Sequence, residues 1–213
     1  MNNAPQRTEA WHTARLGKVT ASRVADVIAK TKTGYGASRA NLMADLICER
    51  LTGQPASTFT NAHMEWGTEQ EPHARAGYSA RTGELVEEVG FIDHPRIANS
   101  GASPDGLVGD DGLVGDDGLV EFKCPATATH LDTLLAGDVP SKYIPQMQWQ
   151  MACTGRKWCD FCSYDPRLPE HLRMFVKRVE RDNDYIKMLE GEVTVFLAEL
   201  EEKLSKLQEL NRG

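Results

Sequence analysis

The chain has 213 residues, 40% of them hydrophobic and 26% charged, with no low-complexity tract, so one domain over 1–213 with a substantial core is expected. No apolar run reaches the ~20 residues that cross a bilayer, and the polar start Met1-Asn2-Asn3-Ala4-Pro5-Gln6 is not a signal peptide, which excludes a membrane span and points to the cytoplasm. Five cysteines, an odd number, agree with reduced thiols there, while the net charge of −7 at first speaks against a nucleic-acid partner.

The charge is unevenly spread: residues 1–50 balance to +4, residues 51–179 to −7 and residues 180–213 to −4. A basic entry region, an acidic centre and an acidic tail are compatible with a protein that grips DNA locally. Residues 9–16 carry a short helical pattern stopped by Gly17. Thr20 or Ser22 can cap a second helix over 23–30, with Val24, Val27 and Ile28 on one face. A basic glycine-bearing loop, 30–36, precedes a third helix over 38–51, with Leu42, Leu46, Ile47 and Leu51 inward and Gly53 as its stop. Arg15 and Ser22 make a candidate phosphate-binding pair beside a helix N-terminus; a surface arginine and an ordinary cap account for them as well.

A loop over 54–64 leads to a helix from Glu65 to Arg75. Glu71 stands before Pro72, a residue best tolerated in a first helical turn, and is a candidate third carboxylate for a metal site. Residues 84–92 alternate imperfectly through Leu85, Val86, Val89 and Phe91 and predict a strand, with Glu88 a candidate fourth acid. Residues 96–102 lead into a second strand and the Pro104-Asp105 corner. The hexad Gly106-Leu107-Val108-Gly109-Asp110-Asp111 then repeats as Gly112-Leu113-Val114-Gly115-Asp116-Asp117, which lengthens a hairpin tip; a Ca²⁺ loop lacks its closing glutamate. Helices are predicted over 127–135, capped by Thr127, and over 141–151, with Tyr143 and Gln146 on one face. Strands follow over 157–164 and 173–179. A long amphipathic helix over 182–210 carries Ile186, Leu189, Val193, Leu197, Leu200, Leu204 and Leu207 inward. Cys48, Cys153, Cys159 and Cys162 are read either as an iron–sulfur set or as buried thiols; strand alternation, which sends Cys159 and Cys162 to opposite faces, opposes the cluster.

The chemistry concentrates in Ser103-Pro104-Asp105-Gly106 and Val120-Glu121-Phe122-Lys123-Cys124-Pro125. On a strand, Glu121 and Lys123 share one face while Val120 and Phe122 enter the core on the other. A hairpin brings Asp105 back beside Glu121, giving a hard-oxygen site suited to Mg²⁺ or Mn²⁺, with the Phe122 carbonyl as a third oxygen. Lys123 at its edge can orient a water or meet developing negative charge. Two alternatives stand beside this reading. The triplet suits an edge strand with a solvated Glu/Lys pair, and Asp110, Asp111, Asp116 and Asp117 also precede it.

Assembled in order, these pieces resemble the phage lambda-type alkaline exonucleases of the restriction-endonuclease-like superfamily. The resemblance rests on Trp11-His12-x-x-Arg15-Leu16-Gly17-x-x-Thr20-Ala21-Ser22, Trp66-Gly67-x-x-x-Glu71, Ser103-Pro104-Asp105-Gly106-Leu107, Glu121-x-Lys123-Cys124-Pro125, Gln146-x-Gln148 and Tyr164-Asp165-Pro166-Arg167, nearly the whole length. It implies an α/β fold with a mixed central sheet flanked by helices. It also implies an ATP-independent 5′→3′ exonuclease on double-stranded DNA, working as a homo-oligomeric, trimeric ring beside a single-strand annealing protein, in a phage or prophage setting. By match, Asp105, Glu121 and the Phe122 carbonyl hold Mg²⁺, and Lys123 and Gln146 position the attacking water. Glu71 and Glu88 shape a second metal or its surroundings, Arg15, Ser22 and Ser103 hold the 5′-terminal phosphate, and Tyr143 is a further substrate-binding residue. Met64 matches a wedge that splits the terminal base pair and Lys32 a groove-contacting residue. A structure-specific or restriction-type endonuclease on the same core, and a non-catalytic DNA-end adaptor, are the competing expectations.

Overall fold

The computed structural model describes residues 4–56, 62–109 and 118–210. Helix α1, Glu9–Arg15, begins at Thr8, whose hydroxyl accepts the Trp11 amide. Strand β1, Val19–Thr20, and a single 3₁₀ turn lead to the short helix α2, Val24–Val27. The expected helix over 23–30 is cut to this one turn because the next residues form a hairpin, β2 (Lys30–Thr31) with β3 (Gly34–Tyr35). Helix α3, Ala37–Thr52, ends as predicted at Gly53, which takes the left-handed φ of +67° that an unbranched backbone tolerates. Thr20 and Ser22 cap nothing through their side chains; their hydroxyls face each other at 3.1 Å.

Helix α4, Ala62–Thr82, is nearly twice as long as its sequence pattern predicts. Pro72 sits inside it, where it cannot donate to the carbonyl of Thr68. The helix continues because its second half packs inward through Ala74 and Tyr78, and the Tyr78 hydroxyl donates to buried Asp160 at 2.8 Å. The strand expected over 84–92 is two strands in different sheets, β4 (Val86–Glu87) and β5 (Ile92–Asp93), with Leu85 left 84% exposed. Strands β6 (Ser100–Ala102), β7 (Gly106–Val108) and β8 (Gly118–Lys123) follow, then α5 (Thr127–Ala136), α6 (Ile144–Thr154), β9 (Trp158–Tyr164), β10 (Met174–Glu180) and α7 (Asn183–Glu209). Thr127 is the first residue of α5 rather than its cap, which is Ala126. Asp182 caps α7 by accepting the amides of Asp184 and Tyr185. The first hexad begins as β7; residues 110–117, which hold Asp110, Asp111, Asp116 and Asp117, lie outside the described residues.

The central sheet is mixed, in the order β10-β9-β8-β7-β4, with β8 and β9 parallel and the other neighbours antiparallel. A smaller sheet, β1-β6-β5, leans on α6. Strand β8 is therefore the middle strand of five, and the edge-strand alternative fails. Its apolar residues divide as the period of two requires: Val120 and Phe122 pack with Ala74, Tyr78 and Cys162 under α4, while Leu119 packs with Met147, Met151 and Cys159 under α6. Cys159 and Cys162 thus lie on opposite faces of β9, as alternation demands. Cys153 is also buried, but Cys48 is exposed. Helix α7 seals the other end of the core with Leu189, Val193, Phe196 and Leu200 against α2, α3 and Trp149. Leu51 and Leu207, expected inward, stay partly in solvent at 50% and 39% exposure. Among the described residues no helix is long and apolar enough to cross a membrane.

The basic N-terminal segment is largely spent on internal pairing. Lys30, Arg39 and Arg50 pair with Glu192, Glu199 and Glu201 of α7, Lys18 with Asp93, Arg23 with Asp26 and Asp45, and Arg7 with Glu71. The +4 and −4 ends of the sequence therefore hold each other, instead of presenting a broad basic surface to DNA.

Candidate active site

The hairpin register builds the centre. Gly106 faces Val120 and Leu107 faces Leu119, so one step back along the ladder puts Asp105 opposite Glu121. The Phe122 amide donates to Asp105 Oδ2 at 2.8 Å and fixes the side chain across the strands. Burial, and then the charge of Glu121, raise the Asp105 carboxyl well above its usual range, with Lys123 opposing. Two neighbouring acids of which one is held protonation-prone by the other favour a cation between them.

Glu121 is 1% exposed and accepts hydrogen bonds on both oxygens. Its Oε1 accepts from Lys123 Nζ and from Gln146 Nε2, each at 2.5 Å, and its Oε2 accepts from Gln150 Nε2 at 2.6 Å. Lys123 also donates to Gln146 Oε1 at 3.4 Å and lies 5.2 Å from the centroid of the Tyr143 ring. Burial lowers the Lys123 ammonium, but Glu121 and Asp105 outweigh it, so the pKa rises and the group stays charged through the alkaline range. Neighbouring Cys124 is pushed up to about 12 by burial and the surrounding acids, which keeps it a neutral thiol.

One cleft of about 530 Å³ collects Asp105, Glu121, Phe122, Lys123 and Gln146 with Arg15, Ser22, Met64, Glu71, Ser103 and Tyr143. Arg15 is half-buried at its back. Its guanidinium stacks 3.9 Å above the Trp11 ring and Nη1 donates to Ser103 Oγ at 3.4 Å, while Trp11 Nε1 donates to the same oxygen at 2.9 Å. Desolvation pulls its pKa down to about 10, with a distant contribution from Glu49 opposing. Arg15 has no ion pair among the described residues, so the cleft contains a desolvated cation beside the Ser103 hydroxyl, a ready anion site. Met64 stands 53% exposed at the rim.

Two expected members are not brought in. Glu88 lies outside the cleft, 61% exposed, and pairs with Arg75. Arg75 also holds Glu71, so Glu88 reaches the site only through that relay. Lys32 projects from the tip of the β2–β3 hairpin, which Lys30 and the Tyr35 hydroxyl tie to Glu192 of α7, and it does not line the cleft. Glu71 does line it, but its two oxygens accept from Arg7 at 2.5 Å and Arg75 at 3.1 Å. Three further residues belong to the site. Gln6 donates to the carbonyls of Val89 and Pro104 at 2.9 and 2.7 Å and thereby pins the residue before Asp105; Trp11 and Gln150 act as described. Gln150 was visible in the sequence as a polar residue four places after Gln146 on a packed helix.

The donors that could hold a metal ion are consequently few. Among the described residues no group of three His, Cys, Asp or Glu side chains is poised for one. The set that remains is the Asp105 and Glu121 carboxylates with the Phe122 carbonyl. These are hard oxygens around a carboxyl that burial leaves undercompensated, and they fit Mg²⁺ or Mn²⁺ with water and phosphate completing the shell.

Residues 10–157 match the YqaJ-like viral recombinase domain. The fold is similar to that of LHK-Exo, an alkaline exonuclease from Laribacter hongkongensis, at 56% identity and a TM-score of 0.87, with 96% of this chain and 98% of that chain covered. The same relative in complex with dAMP gives a TM-score of 0.88 at the same identity and coverage. A phage related exonuclease from Haemophilus somnus 129PT, 15% identical over 89% of this chain and 96% of its own, shares the fold at a TM-score of 0.69. A search among curated protein sequences gives no match. By the extent of the domain match and the likeness to the Laribacter enzyme, the chain belongs to the YqaJ-like viral recombinase family.

Proposed function

We propose that this protein is a metal-dependent deoxyribonuclease, a 5′→3′ exonuclease on linear double-stranded DNA. It releases 5′-mononucleotides without ATP and leaves 3′ single strands for an annealing protein. The observation that carries this reading is the juxtaposition, in one cleft, of the Asp105/Glu121/Lys123 cluster with the desolvated Arg15, which has no ion pair among the described residues. The name of the Laribacter relative and its complex with a deoxynucleoside monophosphate support it.

In this reading Arg15, Ser22 and Ser103 receive the terminal 5′-phosphate, which sets the polarity of digestion. Asp105, Glu121 and the Phe122 carbonyl would hold Mg²⁺, or Mn²⁺ in its place; the ion supplies charge neutralisation at the scissile phosphate and acidifies water. Lys123, locked in its charged form by two carboxylates, meets the negative charge that develops on the phosphate. Gln146 orients water at the cleft side of Glu121, and Met64 meets the end of the duplex at the rim. Glu71, neutralised by Arg7 and Arg75, shapes the wall rather than binding the first ion. The remaining elements of the proposal are a single domain, a trimeric ring, and residence in the cytoplasm of a phage or prophage host.

Digestion of linear duplex with 5′-phosphate or 5′-hydroxyl ends, in Mg²⁺ and in EDTA, tests the reading. The expected result is mononucleotide release in Mg²⁺, faster from the phosphorylated end and absent in EDTA. Efficient cutting of covalently closed circles would replace the exonuclease with an endonuclease, and end binding without release would leave a DNA-end adaptor.

A further inference from the structure

Glu121 is held from two sides of unequal character. Lys123 and Gln146 share its Oε1 and both line the open cleft, so substrate can rearrange either of them. Its Oε2 has one protein donor among the described residues, Gln150, which is 0% exposed and lies on the core side, one helical turn beyond Gln146 on α6. The Gln150 carbonyl faces the weak donor Cys159 Sγ at 3.9 Å. Among the described residues its amide nitrogen donates to Glu121 and to no other side chain. A neutral amide also satisfies the oxygen without cancelling the carboxylate charge, as a second lysine would.

Building on the proposed metal-dependent activity, we propose that Gln150 is the positioning residue for Glu121. It fixes from within the core the plane of the carboxylate that the cation meets, while Lys123 and Gln146 remain free to serve the substrate. It touches neither DNA nor the reacting atoms. A carboxylate pinned at one oxygen presents one defined lone pair to the cleft, and such outer hydrogen bonds tune affinity by about 10–100-fold.

The test is Mn²⁺ binding by calorimetry to the metal-free full-length protein, without DNA, for wild type, Gln150→Met, Gln150→Asn and Asp105→Asn, with thermal melting in EDTA alongside. Methionine keeps the volume and removes the donor; asparagine keeps the amide but withdraws it by one methylene, and serves if the first variant does not fold. The expected result is Mn²⁺ binding by wild type, its loss in Asp105→Asn, and affinity reduced about 10–100-fold in both Gln150 variants. Unchanged Mn²⁺ affinity in a folded Gln150 variant, with or without a lower melting temperature, would reduce Gln150 to packing and overturn the proposal. Absence of binding by wild type would instead overturn the metal-site reading on which it rests.

Discussion

Replacing Arg15 with alanine separates recognition from stability. In the free protein the desolvation of the guanidinium outweighs the favourable charge of Glu49. A fall from the usual 12.5 to about 10 corresponds to on the order of 3 kcal/mol, which water in the open cleft reduces to about 1–2 kcal/mol. Against its removal stands the stacking on Trp11, worth about 0.5–1 kcal/mol. Arg15→Ala is accordingly expected to melt within a few degrees of wild type, or slightly above it. The terminal phosphate, by contrast, loses two charge-assisted hydrogen bonds of about 1.5–3 kcal/mol each, of which roughly 3–4 kcal/mol remains after the solvation of the free phosphate is returned. That is a loss of about 10²–10³ in kcat/KM on 5′-phosphorylated duplex, with little change on 5′-hydroxyl duplex. Single-turnover release of a 5′-terminal label from the two substrates measures the ratio, and differential scanning fluorimetry the stability. A preserved preference for the phosphorylated end, or a fall of many degrees in Tm, would show that Arg15 is structural and not the phosphate site.

Lys123→Ala is expected to abolish cleavage while leaving DNA binding in EDTA nearly intact, as read by gel shift against a labelled duplex end. For Asp105 the sign runs against the usual carboxylate. A folded pKa raised by burial and Glu121 means that the native state binds more protons than the unfolded one, so metal-free stability falls as pH rises through the range above 3.8. Asp105→Asn should therefore melt above wild type in EDTA at pH 8, with the gap closing near pH 4, and a constant gap would contradict this. Gly101→Ala places a Cβ 2.5 Å from the Ile92 carbonyl oxygen and against Phe91, and should destabilise by about 1–3 kcal/mol in urea unfolding. Gln6→Ala removes the clamp on the Pro104 carbonyl and should lower kcat several-fold with little change in Tm.

The centre of the fold was legible because its pattern is local. The alternation in 119–123 and the Pro104-Asp105 corner specify a hairpin whose register can be counted, and the 3–4 spacing in 182–210 specifies α7 almost to the residue. What failed was decided by partners distant in the chain. No local rule distinguishes a basic segment waiting for DNA from one waiting for α7, which begins about 150 residues later. Glu88 and Glu71 look alike as acids; only the break between β4 and β5 turns the former outward onto Arg75. Gln150 has the same chemistry and lies on the same face of α6 as Gln146, and its position one turn deeper along the helix decides that it is buried while Gln146 lines the cleft.

The proline within α4 divides that helix into two mechanical parts. Beyond Pro72 the helix is bolted to the sheet by Tyr78 on Asp160 and by Arg81 on the Met174 carbonyl. Ahead of it, residues 62–71 are exposed or half-buried and carry Met64 at the mouth of the cleft. The missing backbone bond at residue 72 makes the joint between these parts the softest point of the helix. On the proposed function, a push on Met64 by an arriving duplex would be taken up as bending at this joint, and the strands that carry Asp105 and Glu121 would keep their alignment while the entrance yields.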